Sequence, residues 1–307
     1  MKIKKRGLIY SPKKNNFSWW NSHTMAPTAI LLNSKTIRVY VGAWDDKGIS
    51  RIAHIDLASS NPSKVLKISQ SPVLEIGEDG MFDENGVFPA HAYLHKNNVY
   101  LYYTGFQKGI KIRHYNFGGL AVGNLNSNSL NRISRAPVLD RKEEGLLVRA
   151  GQSILIEDGI YRTVYSAGSF WKKVGGKTRP TYDIFYQESK DGVTYKDLGT
   201  KIISADHSVE HGLGRPQIVK LKGKYYCFYT RRLLSMKYFL GCARSADLQK
   251  WERIDGEIKG LKHSKSDWDS EMIYFPSVLT VKDKIYLFYC GNNFGGTGFG
   301  FAEIEDL

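Results

Sequence analysis

Carboxylates recur in this chain at one fixed place. Asp83 stands six residues before Pro89, and Glu210 stands six residues before Pro216. Asp269 and Glu271 bracket the same distance ahead of Pro276, and Glu84 follows Asp83 directly. Basic and aromatic groups keep them company: His91 beside Pro89, His211 and Arg215 beside Pro216, Trp268 ahead of Pro276. The other two repeats lack a carboxylate there and offer His23, four residues before Pro27, and Arg149, three before Gln152. Carboxylates give and take protons and guanidinium groups clamp anions, so one pocket holding this set would suit proton transfer on a charged small molecule. The groups lie far apart along the chain, so only a particular arrangement of elements can gather them.

Such an arrangement is written in a repeat of about sixty residues. Pro27, Pro89, Gln152, Pro216 and Pro276 each sit in a short apolar run, and thirteen residues beyond each stands a tyrosine: Tyr40, Tyr102, Tyr165, Tyr229, Tyr289. Each pair of apolar runs is joined by a polar turn (NSKT, HKNN, EDG, KGK, KDK), the pattern of a β-hairpin. A third run follows each hairpin: ISRIAHIDL, GGLAVGNL, YDIFYQES, YFLGCARS and GFGFAEIE. A fourth follows most of these: SPVLEI, APVLD, GTKIIS and WERIDG. Four short strands per repeat predict an all-β, five-bladed β-propeller with four-stranded antiparallel blades. The fifth repeat ends without a fourth run, and GLIYSP (Gly7 to Pro12) resembles the missing one. The N-terminal strand is therefore expected to close the last blade and remove an open edge. Nothing reads as a linker, which predicts a single domain over 1–307. Asp191 and Asp247 have the spacing of turn-capping residues.

In a propeller the first strand of each blade lines a central channel, and the segment before it opens on one face. That geometry would bring Asp83, Glu210, Asp269 and Glu271 to the channel mouth. The loops between second and third strands return to the same face. Loops two to four carry ten cations, among them Lys173 and Arg231, which predicts an anionic substrate. Trp171 and Trp268 could stack on sugar rings or plug the core. The formal net charge of +14 suits nucleic acid, anionic sugars, phosphates or an anionic membrane surface. Cations gathered round a channel mouth, rather than along a stripe with exposed aromatics, disfavour nucleic acid. No apolar run is long enough for a membrane span. Three cysteines without metal-like spacing, and a basic N-terminus without an apolar signal region, predict reduced thiols and a cytoplasmic protein. No cofactor and no metal site is indicated. Calcium stays open, since Asp and backbone oxygens would suffice to bind it.

The layout resembles the five-bladed propeller glycosidases of families 43, 32, 68 and 130. It is more sharply similar to propeller proteins encoded in bacterial surface-polysaccharide gene clusters. The phrases that carry the resemblance are SHTMAPTA, FDENGVFP, GRPQIV with YTRR, WDSEM and the closing GFGFAEIE. The resemblance implies a carbohydrate-active enzyme that cleaves or transfers a glycosyl group on an anionic or phosphorylated sugar, as an inverting hydrolase or a phosphorylase. It implies Asp83 as the proton donor, helped by Glu210 or Glu271, with the inverting pair about 6.5–9.5 Å apart. Arg149, Arg215, His211 and Lys173 would hold the anion, phosphate included. The chain departs from the family-43 pattern: the first blade lacks its aspartate, and Arg149 stands where the third blade would carry a glutamate. The other reading is a non-catalytic propeller that binds an anionic glycan or a nucleotide sugar in a biosynthetic complex.

Overall fold

The computed structural model describes residues 1–12 and 17–307. It is all-β apart from short helical turns such as α1 (Asn292–Gly295). Among the described residues strand β1 (Lys2–Tyr10) comes first and nineteen strands follow, pairing antiparallel within five groups, with short parallel contacts joining the second group to the third and the third to the fourth. The first unit holds β2 (Ser22–Asn33), β3 (Thr36–Trp44), β4 (Ser50–Ala58) and β5 (Asn61–Ile68). The second holds β6 (Val87–His95), β7 (Asn98–Lys108), β8 (His114–Asn124) and the two-residue β9 (Asn131–Arg132). The third is β10 (Val148–Glu157), β11 (Ile160–Val174), β12 (Lys177–Ser189) and β13 (Thr200–Ile203). The fourth is β14 (Glu210–Leu221), β15 (Lys224–Leu233), β16 (Tyr238–Ser245) and β17 (Glu252–Arg253). The fifth is β18 (Tyr274–Val281), β19 (Lys284–Cys290) and β20 (Phe299–Asp306), with β1 paired antiparallel to β20 as its fourth strand. The first strands β2, β6, β10, β14 and β18 each contact the next, and β18 contacts β2.

The repeated proline has a structural cause. Every first strand slips register at its anchor: between Met25 and Thr28, Pro89 and His91, Ala150 and Ser153, Gly214 and Gln217, Tyr274 and Ser277. Such a β-bulge leaves a residue outside the ladder, where a missing N–H costs nothing. In four units the residue before the anchor takes a left-handed conformation: Ala26, Gly151, Arg215 and Phe275, at φ 56°, 69°, 46° and 55°. In four units the bulge residue lines the central cavity: Phe88, Gly151, Arg215 and Phe275. The tyrosines thirteen residues on are all buried.

Two expected fourth strands are corrected. SPVLEI and APVLD each make only an isolated bridge, Ile52 to Leu74 and Gly118 to Leu139. Pro72 and Pro137 deny these runs a ladder donor. In the first unit the longer run NPSKVLKI takes the outer place instead, pairing Ile55 with Ile68 and Leu57 with Val65. The loop SAGSFWKKVGGKTRPTYD is also mostly strand, because β11 and β12 pair out to Val174 and Lys177. Gly175 and Gly176, both at positive φ, supply the two-residue hairpin turn.

In the second, fourth and fifth units the recurrent carboxylate staples the unit to its own outer strand. Asp83 is fully buried and pairs with Arg132 of β9 at 2.8 Å. Glu210, also fully buried, pairs with Arg253 of β17 at 2.8 Å and with Arg231 at 2.5 Å. Asp269 is fully buried between Lys5 of β1 at 2.5 Å and the Tyr289 hydroxyl at 3.0 Å. The third unit uses Glu144, which accepts from Arg149 at 2.9 Å and from the Tyr165 hydroxyl at 3.1 Å. Removing one partner of a buried pair strands the other charge. Asp83→Ala is therefore expected to lower unfolding free energy by about 3 kcal/mol, measured by urea denaturation. A variant that unfolds at the wild-type midpoint would contradict the stapling role.

Candidate functional site

A cavity of about 400 Å³ opens where the five units meet. Its floor is built from the bulge positions: Phe88, Gly151, Arg215 and Phe275 all line it. Phe88 and Phe275 stack at 6.1 Å between centroids, and the Arg215 guanidinium lies 5.7 Å above the Phe275 ring. Gly151 makes room for it, since a Cβ there would stand 3.3 Å from the Arg215 Cα.

Arg215 is 4% exposed and has no carboxylate partner among the described residues. Its Nη1 donates to the Pro276 carbonyl at 2.6 Å. Its Nη2 donates to the carbonyls of Pro27 at 2.9 Å and Ala90 at 3.2 Å, and to the Thr28 hydroxyl. One side chain of the fourth unit thus ties the first strands of the first, second and fifth. Nε is buried with no hydrogen-bond partner. Burial pulls the arginine pKa down to about 9, so the group keeps its charge at neutral pH.

The walls add six further cations: Lys47, Lys108, Arg113, Lys177, Arg179 and Arg232. No aspartate or glutamate lines the cavity. Trp44, Phe106, Tyr182, Tyr274 and Phe294 complete an aromatic surface. Arg232 is clamped by the Tyr182 hydroxyl and lies over the Tyr182 and Tyr238 rings at 5.5 and 5.1 Å. His114 stacks on Phe106 at 4.9 Å and meets Trp171 edge-on at 5.8 Å. Its Nδ1 is buried without a partner. Burial, then the charges of Arg113 and Arg232, bring its pKa down to about 4, so the imidazole is neutral at pH 7. A cation-walled, aromatic-floored pocket of this size suits a small anionic ring compound.

The residues singled out from sequence divide sharply. Arg215 lines the cavity. His211 lies just behind it, fully buried, with Nε2 3.3 Å from the Tyr238 hydroxyl and Nδ1 3.4 Å from the Pro180 carbonyl. His23 stacks on the cavity residue Trp44 at 3.9 Å. Lys173 is exposed on the β11–β12 hairpin. Asp83, Glu210, Asp269, Arg149 and Arg231 are held in the staples, outside the lining. Glu84 caps a turn, accepting from the Gly80 N–H at 2.6 Å and from Gln107 at 3.2 Å. Trp268 is a core plug stacked on Tyr289 at 5.1 Å. The Glu271 side chain is exposed. His91 faces the far end of the ring, 3.4 Å from the Ser153 hydroxyl, and borders a second recess of about 380 Å³. The structure thus does not bring Asp83, Glu210 and Glu271 together in the cavity. Sequence reading passed over His114, though the cation-rich second returning loop carries it, and over Lys47 and Trp44 of the first loop. Among the described residues no group of three or more His, Cys, Asp or Glu could hold a metal ion.

No family model matches the sequence. Over the whole of both chains, 306 aligned residues, it is 28% identical to a protein of Mycobacterium tuberculosis described as uncharacterised. It is 30% identical over 168 residues to a 1,2-beta-oligomannan phosphorylase of a Thermoanaerobacter species, covering 50% of this chain and 51% of that one. Among solved structures it resembles a glycoside hydrolase (TM-score 0.72, 18% identity, 99% of this chain and 92% of the other). It resembles a thermostable family-43 glycoside hydrolase (0.69, 16%, 98% and 90%). It also resembles a structure from a study of family-130 mannoside phosphorylases and hydrolases that target beta-1,2 mannosidic linkages in Candida mannan (0.68, 18%, 98% and 93%). At these identities the structural likeness is one of fold.

The buried histidines set a pH dependence. Burial is the leading cause in each case, and it lowers His23, His54 and His114 to about 4 and His91 and His211 to about 3. The unfolded chain binds these protons near pH 6.5 and the folded one does not. Stability is therefore expected to be level above about pH 7 and to fall as the pH drops from about 6.5 toward 4. Urea midpoints measured across this window check it; a midpoint that does not move between the two ends would contradict neutral burial.

Proposed function

We propose that the cavity is the binding site for an anionic carbohydrate, a sugar or glycan carrying phosphate or a comparable group. We further propose that the five units are the blades of one propeller domain, a carbohydrate-active protein working in the cytoplasm, where three free cysteines stay reduced. One observation carries the ligand reading: seven cations and no carboxylate line a pocket floored by aromatic rings. Aromatic faces suit the apolar faces of sugar rings, and the guanidinium groups suit the paired oxygens of a phosphate. The fold is shared with glycoside hydrolases, which supports the sugar.

The similarity to an oligomannan phosphorylase favours a second reading, phosphorolysis. Phosphate held by Arg215 and Arg232 would bond to the anomeric carbon while the glycosidic C–O bond breaks. Asp83 would give its proton to the leaving oxygen, as the resemblance implies. Its burial against Arg132 works against that role. So does the absence of a carboxylate from the cavity lining, and the arrangement therefore favours binding over cleavage. A role in surface-polysaccharide metabolism fits either reading.

Isothermal titration with mannose 1-phosphate and with neutral β-1,2-mannobiose separates charged from neutral recognition. The phosphorylated sugar is expected to bind, more weakly as salt rises, and the neutral one to show no comparable heat. Equal binding of both would overturn the anionic assignment. Release of mannose 1-phosphate from mannobiose and phosphate, lost in Asp83→Asn, would establish phosphorolysis in place of binding alone.

A further inference from the structure

Around the cavity mouth stand exposed apolar residues that neither the core nor the cavity uses. Ile110, at the tip of the turn between β7 and β8, is 105% exposed, and Phe170, on the projecting part of β11, is 76% exposed. No other large hydrophobic residue is as open to solvent among those described. The two hairpins stand side by side: Ile112 and Trp171 pack on one small cluster with Leu147, Val148 and Tyr182. Two more exposed side chains extend the surface, Leu146 and Val209. The Leu146 N–H donates to the Ser169 hydroxyl at 3.1 Å. Lys172 donates to the His207 carbonyl at 3.0 Å, tying the hairpin to the segment that carries Val209.

Cations interleave these residues: Lys108, Lys111, Arg113, Lys172, Lys173 and Lys177 are all exposed. None of the six makes an ion pair among the described residues. Apolar tips set in a field of unpaired lysines combine two attractions. Hydrocarbon side chains enter the boundary between head groups and acyl chains, and the cations meet anionic head groups. A nucleic acid would use Phe170 for stacking but has no use for an aliphatic tip such as Ile110. We propose that this face docks on an anionic lipid bilayer, with Ile110 and Phe170 inserted and the cavity mouth turned toward the membrane. The cavity would then meet head groups or lipid-linked sugars at the surface. The docking itself does not depend on which ligand the cavity takes.

The test is sedimentation of the full chain with vesicles of phosphatidylcholine and phosphatidylglycerol, compared with phosphatidylcholine alone. Wild type is expected to bind the mixed vesicles and to leave the neutral ones. The I110S/F170S double variant should lose at least about tenfold in partitioning, with its melting temperature and its mannose 1-phosphate titration unchanged. Lys64→Glu, on the outer strand of the first unit, should bind as wild type does. No binding to mixed vesicles would overturn the proposal, as would equal binding by the double variant. Retention of single-stranded oligonucleotide in place of vesicles would overturn it too, assigning the face to nucleic acid.

Discussion

A guanidinium at the centre of the ring is the constraint on which the rest turns. Arg215 belongs to the fourth unit, yet its donors end on carbonyls of the first, second and fifth. Moving a cation out of water is costly, and carbonyl dipoles return part of that cost without cancelling the charge. Arg215 shares its bulge and left-handed backbone with other units, and Gly151, lacking a side chain, leaves room for the Arg215 backbone. Because no carboxylate neutralises it, the floor of the cavity stays positive. The surrounding lysines and arginines add to that field, and low-dielectric aromatic walls keep it from being screened.

The same repeat that betrays the architecture hides the site. Hairpins, the period and the N-terminal strand beside β20 were legible because apolar alternation and turn residues follow from local chemistry. The outer strands were legible only in part: β13 and β17 lie in GTKIIS and WERIDG, whereas β5 and the two-residue β9 fall outside the expected runs. The matched carboxylates were visible, but their regularity came from a staple needed in several units, as the partners Arg132, Arg253 and Lys5 show. Chemistry on a single ligand has no reason to be fivefold. The informative signal was the break in the repeat, where Ala26, Phe88, Gly151, Arg215 and Phe275 occupy one position and only one of them is charged.

Fold and site therefore point in related but separate directions. The likeness to glycoside hydrolases is one of overall fold. Glycosidases of this kind act through carboxylates that flank the bond to be broken. Here Asp83, Glu210 and Asp269 are held by Arg and Lys inside the units, and the cavity lining is cationic. His114 lines the cavity as a neutral imidazole.

The most direct measurement compares inorganic phosphate binding, by calorimetry at low salt, between wild type and Arg215→Met, whose side chain keeps much of the volume without the charge. The charged-hub account predicts that the variant melts at a lower temperature and loses phosphate affinity by at least about tenfold. Undiminished affinity in a variant that still folds would contradict it.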